Sequence, residues 1–130
     1  MNASTPQPAP KNDDTSPEVW TEIIRDIDRA MASEQDLLRR GVLRLLRKDC
    51  EERDAFGRQK YGVPLRAANG RDPMLDCYQE LLDAAAYSFQ AVIRREAAPK
   101  LFQDVFSMAL SLRATIDHRD RLLRARDGVQ

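Results

Sequence analysis

This chain is poor in soft metal ligands. It has one histidine, His118, and two cysteines, Cys50 and Cys77, with no Cys-x-x-Cys spacing. That excludes the usual thiolate and imidazole zinc sites. The two cysteines read as small buried hydrophobes, and a disulfide between them is disfavoured in a reducing compartment. Long apolar runs are missing too. Nothing approaches the roughly 20 apolar residues of a membrane span, and the N-terminus lacks a signal-peptide core. No membrane partner is expected, and the cytoplasm is the expected location. Nor is there an excess of one charge: 21 basic residues face 21 acidic ones. Duplex-binding proteins more often carry a basic excess, so nucleic acid ranks below small molecules as a partner.

What is present fits one domain of 130 residues, with ordinary apolar and somewhat high charged content. Residues 1–17 are rich in Pro, Ser, Asn and Asp and nearly free of large apolar side chains. They bury too little to offset ordering, and a disordered tail is expected. From there the period becomes helical. Val19, Trp20, Ile23, Ile24, Ile27, Ala30 and Met31 predict a helix over about 18–32, with Ser16 as N-cap before Pro17. Ser33 and Asp36 resemble a capping box opening a second helix, which Gly57 is expected to stop. Residues 57–71 then read as a long loop with turn residues Gly62, Pro64, Asn69 and Gly70. Asp72-Pro73 is the start of a third helix reaching about Glu96, and Pro99 precedes a fourth over about 99–125. Nothing reads as a strand. The expected class is all-α, a four-helix bundle-like domain over 18–130.

Charge is distributed unevenly along this plan. Asp49, Glu51, Glu52 and Asp54 cluster on the second helix, and Asp76, Glu80 and Asp83 on the third. Between them, 57–71 carries Arg58, Lys60, Arg66 and Arg71 and no acid. At about 100° per residue, Asp49 and Glu52 lie toward the apolar face of the second helix and are expected inward. Asp76, Glu80, Asp83 and Tyr87 form one stripe opposite the apolar residues of the third. Paired carboxylates at helical spacing can share a hard cation. Basic groups beside them can hold phosphate. The blander alternative is a solvated acidic face with an ordinary basic loop.

Asp49-x-x-Glu52 and Glu80-x-x-Asp83 resemble the paired acidic motif of the MazG-like all-α nucleoside triphosphate pyrophosphatases. The stretch from 53 to 90 is similar to the small stand-alone branch of phages and bacteria, with Lys60-Tyr61-Gly62, Asn69-Gly70-Arg71-Asp72 and Tyr78-Gln79-Glu80-x-x-Asp83 in that order. The first pair departs from the pattern by opening with Asp. Glu51 and Asp54 offer a second register by spacing.

The resemblance implies a helical homodimer or homotetramer using Mg²⁺ or Mn²⁺ in a bacterial or phage-infected cell. It implies cleavage of a nucleoside or deoxynucleoside triphosphate between the α and β phosphates, with purine deoxynucleotides such as dGTP or dATP favoured. Asp49, Glu52, Glu80 and Asp83 map onto the metal ligands, and Asp76 onto a further ligand or outer-shell acid. Glu52 or Glu80 would serve the attacking water. Lys60, Asn69 and Arg71 would meet phosphate or sugar, with Lys60 and Arg71 neutralising the leaving group. Tyr61, Trp20 and Phe56 are candidates for stacking on the base. Two rival classes are a non-catalytic helical adaptor and a nucleic-acid-binding regulator using Arg119, Arg121, Arg124 and Arg126.

Overall fold

A computed structural model describes residues 2–13 and 15–128. Among the described residues there are four helices: α1 (Val19–Ser33), α2 (Leu37–Tyr61), α3 (Pro73–Ile93) and α4 (Pro99–Arg126). Among the described residues there is no strand, only an isolated bridge between Glu18 and Arg66. The class is all-α, as the periodicity predicts. No helix is long and apolar enough to cross a membrane. Two compact units divide the chain. One is Pro8–Arg71, with α1 and α2; the other joins the residues up to Gln7 to those from Asp72 onward, with α3 and α4.

In the first unit, α1 opens without a side-chain cap. Ser16, the expected cap, instead accepts the Ala68 N–H on its Oγ at 3.1 Å. The start of α1 is held by the 62–71 loop: Val19 N–H donates to Leu65 O, and Ala67 N–H to Pro17 O. Glu18 receives two arginines, Arg58 at 2.8 Å and Arg66 at 3.3 Å. The Arg58 hydrogen bond holds the Glu18 carboxyl below its usual range. The capping box also resolves differently. Asp36 alone caps α2, accepting from Leu38 and Arg39 N–H. Ser33 ends α1 and donates to carbonyls one turn back.

The second helix passes through Gly57. A helical glycine costs only about 1 kcal/mol, and Arg58 ties the last turn back to Asp54 at 2.9 Å. The stop is Gly62, at φ 73, a left-handed conformation that glycine adopts without a Cβ clash. Asp28 meets Arg47 at 2.7 Å while Glu18 meets Arg58, so α1 and α2 run antiparallel. Ile27 and Cys50 are their buried residues.

In the second unit, Asp72-Pro73 opens α3 as the sequence predicts. The Asp72 carboxylate accepts from Met74 and Leu75 N–H and also pairs with Arg119 of α4 at 2.9 Å. That arginine, helped by the two N–H groups, keeps the Asp72 carboxyl below the ordinary range. The helix ends at Ile93, short of Glu96, in a turn where Arg95 takes φ 60. Phe89 meets Phe102 edge to face at 5.0 Å, and Phe102 lies 5.7 Å from Phe106. With Asp72 and Arg119 paired at the other end, α3 and α4 are antiparallel. Ile116 is fully buried, beside buried Ala109 and Ser88.

Both cysteines are free, but only Cys50 is buried; Cys77 is exposed. The N-terminal segment contains no helix among its described residues, yet polar contacts tie it down. Gln79 Nε2 donates to Ala3 O at 2.6 Å. Lys11 N–H donates to Asn69 O at 2.8 Å.

Candidate functional site

The acids of α2 differ sharply in how they are used. Arg47, which also binds Asp28, bonds Glu51. Arg58 bonds Asp54. Lys48 approaches Glu52 only to 3.9 Å. Asp49 has neither an ion pair nor a hydrogen bond among the described residues. The second register, Glu51 and Asp54, is thus occupied by arginines that brace the α1–α2 hairpin. The first register, Asp49 and Glu52, is nearly free.

The expected inward placement of Asp49 and Glu52 is corrected: both are exposed. They do share a face with apolar residues, but that face is itself open. Leu38 is 83 %, Leu45 64 % and Val42 63 % exposed. The hairpin buries a different stripe, through Cys50, because α1 packs on the Arg40, Leu43 and Arg47 side of α2.

On α3, Glu80 and Asp83 are exposed, as is Tyr87. Neither acid has an ion pair or hydrogen bond among the described residues. Asp76, one turn earlier on the stripe, is half-buried and accepts Gln7 Nε2 at 2.6 Å. Among the described acids, Asp49, Glu80 and Asp83 therefore stand without a partner. The described residues contain no ready-made cluster of three metal-ligating side chains. Each pair offers two carboxylates, a partial set of the kind Mg²⁺ accepts while keeping several waters.

The basic groups divide as well. Arg58 and Arg66 are committed to Glu18, and the Arg66 Nε is buried without an acceptor. Arg58 and Lys60 lie on the last turn of α2 rather than in a loop, where cations favour the helix C-terminus. Lys60 is exposed, its Nζ 5.1 Å from the Tyr61 ring centroid. Arg71 Nη1 donates to Pro8 O at 2.7 Å. Asn69 is buried and builds the turn: its Oδ1 accepts the Arg71 N–H at 3.1 Å. Of the proposed stacking residues, Tyr61 and Phe56 are exposed and Trp20 is half-buried.

A cavity on the α3–α4 hairpin was not foreseen. It measures about 630 Å³ and is lined by Leu82, Phe89, Phe102 and Phe106, with Tyr78 and Arg113. Tyr78, Leu82 and Phe89 lie roughly half a turn around α3 from Glu80 and Asp83, at about 100° per residue. Comparisons with family models, with curated proteins and with solved structures return no match.

Proposed function

We propose that this chain is a metal-dependent (deoxy)nucleoside triphosphate pyrophosphohydrolase of the MazG-like kind, releasing monophosphate and pyrophosphate. One observation carries the reading. The motif singles out Asp49, Glu52, Glu80 and Asp83. Three of these are the described acids left without a partner, and the fourth has only a distant lysine. Carboxylates that repel along a helix gain when a dication joins them.

Asp49 with Glu52, and Glu80 with Asp83, are the groups that would hold Mg²⁺ or Mn²⁺. When bound, the metal neutralises phosphate charge and makes a water more acidic. Glu52 or Glu80 would take the proton of the attacking water. The water oxygen bonds to the α-phosphorus. The bond from that phosphorus to the bridging oxygen breaks, and its electron pair leaves with pyrophosphate. Lys60 and Arg71 offset the charge building on the leaving group. Purine deoxynucleotides are the proposed substrates. The open apolar face of α2 suits a second copy, giving a homodimer or homotetramer.

That same face is what a non-catalytic adaptor would use, so the two readings part on metal dependence alone. The nucleic-acid reading loses ground because Arg119, Arg121 and Arg126 each pair with an aspartate. The test is phosphorus NMR of a triphosphate panel incubated with the protein and Mg²⁺ or Mn²⁺. Monophosphate with pyrophosphate is the expected product pair. Diphosphate with orthophosphate would overturn the cleavage site, and an unchanged panel would favour the adaptor.

A further inference from the structure

The cavity on the α3–α4 hairpin is built from one compact unit alone, and the proposed reaction makes no use of it. Two matching stripes form it. On α3 the stripe is Tyr78, Leu82, Ala85 and Phe89. On α4 it is Phe102, Phe106, Ala109 and Arg113. Each steps by four, three and four residues, which keeps its members on one side of a helix. Phe89 meets Phe102 at one end, so in the antiparallel hairpin Tyr78 and Arg113 fall together at the other. Each stripe is about 16 Å long at the helical rise. The result is a groove, apolar along its length and charged at one end. Ala85 and Ala109 leave room, while the large side chains of Leu82, Phe89 and Phe106 are exposed. A contiguous apolar patch of this kind marks a binding surface. Arg113 is the only charged lining residue among those described. It is half-buried, and neither it nor the Tyr78 hydroxyl has a hydrogen bond or ion pair among the described residues.

We infer that this groove binds a free acyl-chain carboxylate, its chain along the apolar stretch and its head on Arg113. The volume of about 630 Å³ falls in the range of small-ligand sites. An alkyl chain asks for no hydrogen bond along its length, and the side chains between the two ends of the groove offer none. A nucleobase there would leave its donors and acceptors unmatched against alanine and phenylalanine, which is costly. The head is matched at the one end where donors stand. The Arg113 guanidinium is a planar fork that fits a carboxylate, and the Tyr78 hydroxyl is a second donor beside it. A charge-assisted bond of this kind is about twice as strong as a neutral one. Glu80 and Asp83 lie on roughly the opposite side of α3, so the groove stands or falls apart from the proposed metal site.

The test titrates the full-length chain with octanoate, dodecanoate and dodecanol, each below its micelle-forming concentration, and reads affinity by calorimetry. Dodecanoate should bind at least about tenfold more tightly than octanoate, since each added methylene buries apolar surface. Arg113→Gln should weaken dodecanoate about tenfold and leave dodecanol within about twofold, the loss expected for one charge-assisted bond. Ala86 lines the same groove and is exposed. Ala86→Trp should therefore fill the groove and weaken both twelve-carbon probes, with circular dichroism unchanged. Equal affinity of Arg113→Gln and the unchanged protein for dodecanoate would overturn the assignment, as would equal affinity for the short and long chains. Binding to phosphatidylglycerol vesicles without binding of free dodecanoate would overturn it in favour of a lipid surface. No binding of any of these would overturn it in favour of a partner helix.

Discussion

Two helices of this chain carry acidic pairs at the same spacing, and the fold treats them differently. On α2, four acids lie within six residues, and basic side chains of the same hairpin engage three of them: Arg47 takes Glu51, Arg58 takes Asp54, and Lys48 leans toward Glu52. Among the described residues, only Asp49 stands clear. On α3, no cation approaches Glu80 or Asp83 among the described residues. The local sequence explains the contrast. Residues 44–60 interleave Arg and Lys with the acids one turn apart, while 73–93 contain no basic residue at all. An acidic pair is available to a metal in proportion to the cations its own helix denies it. By that measure α3 would provide the stronger grip on a metal and α2 the weaker.

The largest expected effect is on α3. Glu80→Gln or Asp83→Asn should lower turnover by at least about a hundredfold, the upper end for perturbed metal sites, while circular dichroism stays unchanged because both side chains are exposed and unpaired. Comparable loss from an α2 variant with none from α3 would reverse the ranking.

The two hairpins should also differ in what their apolar residues contribute. Ile116→Ala opens a cavity at a fully buried position and should cost about 2–5 kcal/mol in urea unfolding. Leu45→Ala removes a side chain that is 64 % exposed and should cost the isolated chain less than about 0.5 kcal/mol. If α2 seats a second copy, Leu45→Glu should instead shift sedimentation toward monomer.

A smaller effect belongs to the helix start that the sequence announces most plainly. Asp72→Ala removes the α3 cap and the Arg119 partner, and should cost about 1–2 kcal/mol at neutral pH. Arg119 and the cap N–H groups lower the folded-state pKa of Asp72. A lowered carboxyl contributes stability above its unfolded value, about 3.9, and loses it as pH falls through the folded value. The gap between the two proteins should therefore be full at pH 7 and close on acidification below about pH 4.

The finest discrimination lies within α2. Asp49→Asn should weaken Mn²⁺ binding about tenfold, and Glu51→Gln should leave it within about twofold, since Arg47 already occupies that carboxylate. Equal losses would mean that the arginine is readily given up.

How far these features were legible depended on how local their physics is. Asp72-Pro73, the α3 acidic stripe and the helix count are set by neighbours in sequence, and they read correctly. Gly57 misled because a helical glycine is cheap, while the stop at Gly62 depends on a left-handed φ that periodicity does not register. Ser16 and Ser33 looked like caps, but one was taken by Ala68 and the other by the end of α1, choices that need a third dimension. The outward turn of Asp49 and Glu52 was missed for a related reason. The widest apolar face of α2 is not the one that α1 covers. The contacts of Ala3 with Gln79 and of Lys11 with Asn69 were not legible either, since a Pro-rich polar composition does not say which amide meets which partner.

The most direct test of the central claim is pyrophosphate release from a panel of NTPs and dNTPs with Mn²⁺ or Mg²⁺, run beside Glu80→Gln. The account predicts metal-dependent release that the variant loses, strongest with a purine deoxynucleotide. Undiminished release by Glu80→Gln, or none by the unchanged protein with any nucleotide, would contradict it.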